Sequence, residues 1–152
     1  MVEIERKFLV NPEKWTPVNK GTEIKQGYLS ADKNRTVRVR IAGDLAFITI
    51  KGESRGISRI EFEYEIPKAD AQVLLTMCLS EPIEKTRYLE RVDNAVWEID
   101  VFEGVNKGLI LAEIELENES QNFTLPGWAG EEVSTDRRYF NSFLSLNPFT
   151  KW

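Results

Sequence analysis

At 152 residues the chain has the length of one domain, and its 41% hydrophobic content supplies a core beside 30% charged residues. Twenty Lys and Arg against 25 Asp and Glu leave a net charge of -5, with no global basic field for nucleic acid. Histidine is absent and Cys78 is the only cysteine, which excludes a Ser/His/Asp triad, a Cys/His dyad, an internal disulfide and imidazole-bound zinc.

Any metal must therefore be held by oxygen, and a lone cysteine fits a reducing cytoplasm. The longest apolar runs, Leu45 to Ile48 and Leu109 to Ala112, are four residues, far below the roughly 20 of a membrane helix. Without an internal repeat, a linker or a shift in composition, residues 1–152 read as a single domain that neither enters a membrane nor carries a recognisable signal.

The dominant period is two, that of strands whose successive side chains face opposite ways. Val2 to Val10, Glu23 to Ser30, Arg35 to Ala42, Leu45 to Lys51 and Ile57 to Ile66 alternate in this manner, with Gly43-Asp44 placed as a hairpin turn. Lys68 to Leu79 changes to helical spacing, Val73 with Met77 and Leu74 with Cys78, and Pro82 follows. Strands resume at Ile83 to Arg91, turn at Asp93-Asn94, and continue through Ala95 to Glu103 and Leu109 to Glu117. Asp136 is placed to cap a short helix from about Arg137 to Leu144. The expected fold is mainly β, an α+β chain whose eight antiparallel strands close into a barrel with a few flanking helices.

The charges gather on one face of each strand and are sorted by sign, in acidic pairs on four strands and basic pairs on two. Glu3, Glu5 and Lys7 share a face, as do Arg38 and Arg40, Thr49 and Lys51, Glu61, Glu63 and Glu65, Lys85 and Arg87, Glu98 and Asp100, and Glu113, Glu115 and Glu117. A solvated sheet face needs no such sorting, because like charges at i and i+2 repel. Converging faces explain it: carboxylates hold cations, and Arg and Lys hold an anion, inside a polar channel. Eight carboxylates against six cations put the empty interior near -2, so metal and polyanion make each other's burial tolerable. The oily outside then needs cover from the helix, the aromatic tail and, where these fall short, a second copy of the chain in a homodimer.

Glu3-Ile4-Glu5-Arg6-Lys7 matches an ExExK signature, and Arg38-Val-Arg40, Lys51, Arg59-x-Glu61-x-Glu63, Glu84-Lys85-Thr86-Arg87-Tyr88, Asp100, Glu113-Ile-Glu115 and Asp136-Arg-Arg138-Tyr139-Phe-Asn141 follow in register. In these motifs, over essentially its whole length, the chain resembles the CYTH superfamily of triphosphate tunnel metalloenzymes. The resemblance implies an eight-stranded tunnel that binds a triphosphate, inorganic tripolyphosphate foremost, and hydrolyses it with Mg2+ or Mn2+. Adenylate cyclases and thiamine or nucleoside triphosphatases of the family are alternatives, and a non-hydrolytic polyphosphate- or nucleotide-binding module is one of another class.

By the same resemblance Glu3, Glu5, Glu113 and Glu115 hold the metal, and Glu61, Glu63 and Asp100 serve a second metal or orient water. Lys7, Arg38, Arg40, Lys51, Lys85, Arg87 and Arg138 grip phosphate oxygens, and the catalytic step falls to Lys7, Lys85, Glu63 and Asp100. Tyr28 reads as a core tyrosine and Ser54-Arg55-Gly56 as an exposed turn. Without histidine, water must be activated by metal, carboxylate or a lysine of shifted pKa, so activity is expected to rise from neutral toward alkaline pH.

Overall fold

The computed structural model describes residues Met1–Trp152. The strands are β1 (Val2–Val10), β2 (Thr22–Asp32), β3 (Arg35–Ala42), β4 (Leu45–Gly52), β5 (Ser58–Ile66), β6 (Ile83–Val92), β7 (Ala95–Phe102), β8 (Ile110–Glu115) and β9 (Ala129–Glu132). Two helices, α1 (Lys68–Thr76) and α2 (Asn141–Leu146), join them. All strand pairings are antiparallel, in the order β5-β4-β3-β2-β6-β7-β8-β1-β9, and an additional β5–β1 pairing closes a ring of eight. No helix is long and apolar enough to cross a membrane.

Local chemistry explains the tight connections. Gly43 takes φ +60 in the β3–β4 turn and Asp93 φ 54 in the β6–β7 turn, the left-handed region open to Gly and tolerated by Asp. The ring's seam is short. β1 meets β5 only through Val2↔Ile60, Glu3↔Arg59 and Ile4↔Ser58, and the same side of β1 then pairs with β9 at Phe8 and Val10. The ring is consequently not a regular barrel. β9 has no alternation to announce it; it forms because the free edge of β1 leaves amide and carbonyl groups to satisfy.

Two covers bury the outward faces. Ala71 and Leu75 of α1 pack on Val39 and Ala46. Trp15 and Trp128, from the loops flanking the ring, cover Phe8, Trp97, Ile99, Ala112 and Ile114, and both indoles donate to one carboxylate, Glu90, at 3.2 and 2.7 Å. Ile60, Phe62 and Tyr64 of β5 stay exposed.

α1 stops at Thr76, short of the expected Leu79, because the Leu79 amide leaves the helix to donate to Tyr28 O of β2 at 3.0 Å. The expected C-terminal helix is split. A 3-10 turn over Arg137–Tyr139, with Asp136 accepting from Arg138 N, is separated from α2 by Phe140 in extended conformation (φ -73, ψ 134).

Inside the ring each strand changes character along its length. Lys7, Lys85, Asp100 and Glu113 have Leu9, Ile83, Phe102 and Leu111 as their next neighbours on the same face. These join Leu109, Val133 and Leu144 of α2 in one apolar cluster. The bore therefore ends on that side in packed hydrocarbon.

Candidate functional site: a charged bore inside the strand ring

Nine of the side chains singled out in the sequence line one cavity within the ring: Glu3, Glu5 and Lys7 from β1, Arg38 and Arg40 from β3, Lys51 from β4, Lys85 and Arg87 from β6, and Glu113 from β8. Strand pairing aligns them, since Lys7 stands opposite Glu113, Arg38 opposite Thr49, and Arg87 opposite Asp100 on adjacent strands. Tyr28 and Arg59 also reach the cavity, as do Thr36, Thr49, Ser134 and Asn141. Ser54 and Gly56 line it too, so the 54–56 loop borders the bore and is not merely an exposed turn.

The other five predicted residues lie elsewhere. Asp100 is buried behind the wall, with both oxygens committed: Oδ2 to Lys85 Nζ at 2.7 Å and Arg87 Nη2 at 2.9 Å, Oδ1 to Arg87 Nε at 2.8 Å. Glu61 is 3.2 Å from Lys51, and Glu63 accepts from Thr49 Oγ1 at 2.7 Å and lies 3.5 Å from Arg38. Glu115 is exposed, across from Glu5 on the neighbouring strand. Arg138 is on the exterior, 58% exposed and bound to Asp136 at 2.7 Å.

This placement revises the charge balance. Seven cations and three carboxylates line the cavity, a formal excess of four positive charges. The -2 of the sequence count included acids that stand behind or beside the cations instead of facing the lumen. An anion thus meets an attractive wall before any metal arrives. Arg38 adds a specific sign of it: its Nε is buried without a hydrogen-bond partner, a free donor of the kind a phosphate oxygen satisfies.

Burial and charge tune the titrating groups. Burial, then the Glu113 carboxylate, pushes Glu5 up to about 8. Burial resists ionisation of Glu113 as well, but Lys7, 3.5 Å away, prevails and holds it low. Burial pulls Lys85 down to about 7 despite Asp100, and burial with Arg38 and Arg87 nearby pulls Arg40 down to about 9. Asp100 is held well below the usual carboxylate range because Arg87 and Lys85 outweigh its burial.

Whether the bore suits a divalent cation is decided by Glu5. Glu3 is taken by Lys51 at 2.7 Å and Glu113 lies beside Lys7, yet no cationic side chain comes within 4.0 Å of Glu5. A buried carboxylate left to a second carboxylate is a place for a cation. No three acidic residues converge by themselves into a full ligand set, which suits Mg2+, an ion bound through one or two carboxylates plus substrate oxygens.

A closed ring of antiparallel strands with a cationic, carboxylate-bearing lumen defines a polyanion-binding tunnel. The CYTH domain model matches residues 1–142, and the chain belongs to this family. It is 46% identical to an inorganic triphosphatase of Acetivibrio thermocellus, over 97% of this chain and 95% of that one. It is 38% identical to an inorganic triphosphatase of Nitrosomonas europaea, over 97% and 99%. A crystal structure of an inorganic triphosphatase superposes with a TM-score of 0.67 at 35% identity, over 95% of this chain and 94% of the other. A protein of Pyrococcus horikoshii, 20% identical over 77% and 79% of the chains, shares the fold at a TM-score of 0.58.

Thr36, which no motif singles out, carries the same parity as Arg38 and Arg40, so alternation would have placed it in the lumen, as it did Thr49 beside Lys51. Arg59 and Asn141 stand within the quoted motifs but carry no charge pattern that assigns them a role, and Ser134 lies in the irregular segment before α2, where no period exists to read.

Proposed function

We propose that the protein is a divalent-cation-dependent triphosphatase that hydrolyses inorganic tripolyphosphate to pyrophosphate and phosphate. The observation that carries this is the cavity wall, whose four excess positive charges match a triphosphate of similar negative charge. Three of its 21 residues are hydrophobic, so the bore itself suits the phosphate chain better than a base or a thiazole. The curated relatives named inorganic triphosphatase support the same reading. The lone cysteine and the reaction both suit the cytoplasm.

Glu5 and Glu113, joined by Glu3 and by Glu115 at the rim, are the residues that would hold Mg2+ or Mn2+. When bound, the cation neutralises charge on the phosphoryl oxygens. Lys7, Arg38, Arg40, Lys51, Lys85 and Arg87 grip and align the chain, so that the bond from the terminal phosphorus to the bridging oxygen lies in line with the attacking water. Water adds to that phosphorus, the bridging bond breaks, and pyrophosphate leaves with the electron pair. Lys85, which burial brings to about 7, is the group suited to accept the water's proton. Asp100, Glu61 and Glu63 act in this scheme by anchoring cations. Arg138, outside the bore, has no part in it.

The test is phosphate release from tripolyphosphate, ATP, thiamine triphosphate and pyrophosphate with Mg2+, Mn2+ or EDTA. Tripolyphosphate should be cleaved fastest, EDTA should stop the reaction, and Glu113→Ala should lose at least about 100-fold in kcat/KM. Full activity in EDTA, or tight binding of tripolyphosphate without turnover, would refute it, the latter in favour of a binding module.

A further inference from the structure

The cations on one side of the bore are supported in two chemically different ways. Lys85 and Arg87 share the charged oxygens of Asp100. The remaining support is neutral: Arg40 Nε donates to Gln26 Oε1 at 2.8 Å, Gln26 Nε2 donates to Asn141 Oδ1 at 2.8 Å, and Lys85 Nζ donates to that same oxygen at 3.0 Å. Gln26 is fully buried in β2, and Asn141, 115 residues away in sequence, opens α2 and lines the cavity.

For stability alone an amide is the weaker choice at either position. Each amide oxygen accepts from a cationic nitrogen, and a carboxylate of the same shape would accept it more strongly. Burial already disfavours the charge on Arg40 and Lys85, so the fold would gain from a counter-anion there. A carboxylate would also cancel part of the positive excess that faces the lumen. An amide orients a cation and leaves its charge uncancelled.

On the triphosphatase reading above, we propose that Gln26 and Asn141 are positioning residues that fix Arg40 and Lys85 for the phosphate chain while leaving their charge to it. Asn141 also ties α2 to the bore, so the C-terminal segment takes part in anion binding as well as in packing.

Isosteric charge substitutions test this: Asn141→Asp keeps the acceptor and changes only the neutrality, whereas Gln26→Glu keeps the acceptor for Arg40 and also removes the N–H that donates to Asn141. Calorimetric binding of tripolyphosphate is measured in EDTA, where no turnover occurs, beside melting temperature and the kinetic constants with Mg2+. Asn141→Asp should melt at or above the wild-type temperature, since Lys85 gains an ion pair, yet bind tripolyphosphate at least about tenfold more weakly. KM should rise with little change in kcat. Gln26→Glu should shift affinity in the same direction through Arg40. Asn141→Ala, which removes the acceptor, should lower melting temperature and kcat together. A residue with only a structural role would predict the reverse ranking, with Asp harmless and Ala harmful to binding. A folded Asn141→Asp that binds as wild type does overturns the proposal; if that variant does not fold, Gln26→Glu decides on the same criterion, and failure of both to fold overturns it too. Wild-type protein that binds no tripolyphosphate would refute the triphosphatase reading itself.

Discussion

Glu5 and Glu113 compete for ionisation in one wall of the bore, and the proton stays on Glu5, raised to about 8 from an ordinary 4.5. The folded protein binds that proton more tightly than the unfolded chain. Its stabilising contribution is therefore complete below about pH 4.5 and is lost as pH rises through about 8. Glu5→Gln, permanently neutral, should melt roughly 5 °C above the metal-free wild type at pH 9, and at the same temperature at pH 4, followed by circular dichroism. A cation must displace the same proton, so Mg2+ affinity should climb by about tenfold per pH unit below pH 8 and level off above it, which titration calorimetry would detect. Activity rising from neutral toward alkaline pH is the kinetic counterpart. Asp100 provides a contrast, because its oxygens are spent on Lys85 and Arg87. Asp100→Asn leaves those cations buried with one partner fewer, and should lower stability by about 3 to 5 kcal/mol and raise KM. The half-saturating Mg2+ concentration should stay the same; a large increase in it would return Asp100 to the metal ligands.

Among the elements, the end of α1 and the residues just after it pack tightly on β2. A Cβ on Gly27 would stand 2.8 Å from Cys78 Sγ and 3.4 Å from Leu75, so this strand position accepts only glycine while the helix end rests on it. Gly27→Ala should destabilise by about 1 to 3 kcal/mol in a denaturant melt, and Cys78→Ala in the same molecule should recover part of the loss by removing the sulfur. Cys78 thus acts as packing, at the helical spacing that the sequence displays. The weak point of the ring is the β1–β5 seam, three residue pairs long, where Glu3 nevertheless reaches Lys51 across the bore. That ion pair crosses from one side of the seam to the other by way of the lumen, so the charged interior helps to hold the ring shut.

At the level of the whole molecule, a chain of net charge -5 encloses a cavity lined with four excess positive charges. The field that matters is local. Tripolyphosphate in EDTA should raise the melting temperature by several degrees in about 50 mM salt, and the shift should shrink as salt rises to about 0.5 M, because screening weakens partly exposed charges. Absence of any shift at low salt would contradict the bore's electrostatics.

Much of this was legible in the linear chain, for a specific reason. A strand places alternate residues on opposite faces, so the parity of Glu3, Glu5, Lys7, Arg38, Arg40 and Lys51 already assigned them to a common side, and the pattern of sign identified that side as the interior. By itself the sequence determined the mainly β fold, the helix after β5, the two hairpin turns and nine of the cavity's charged residues. Only the tertiary structure decided which acids face the lumen and which brace its cations, because Asp100 and Glu113 share one inward parity but differ in their cross-strand neighbours. It also decided that β9 patches the free edge of β1, and that Asn141 comes to rest beside Lys85. Those depend on contacts between segments more than 50 residues apart in sequence, and no local period encodes such contacts.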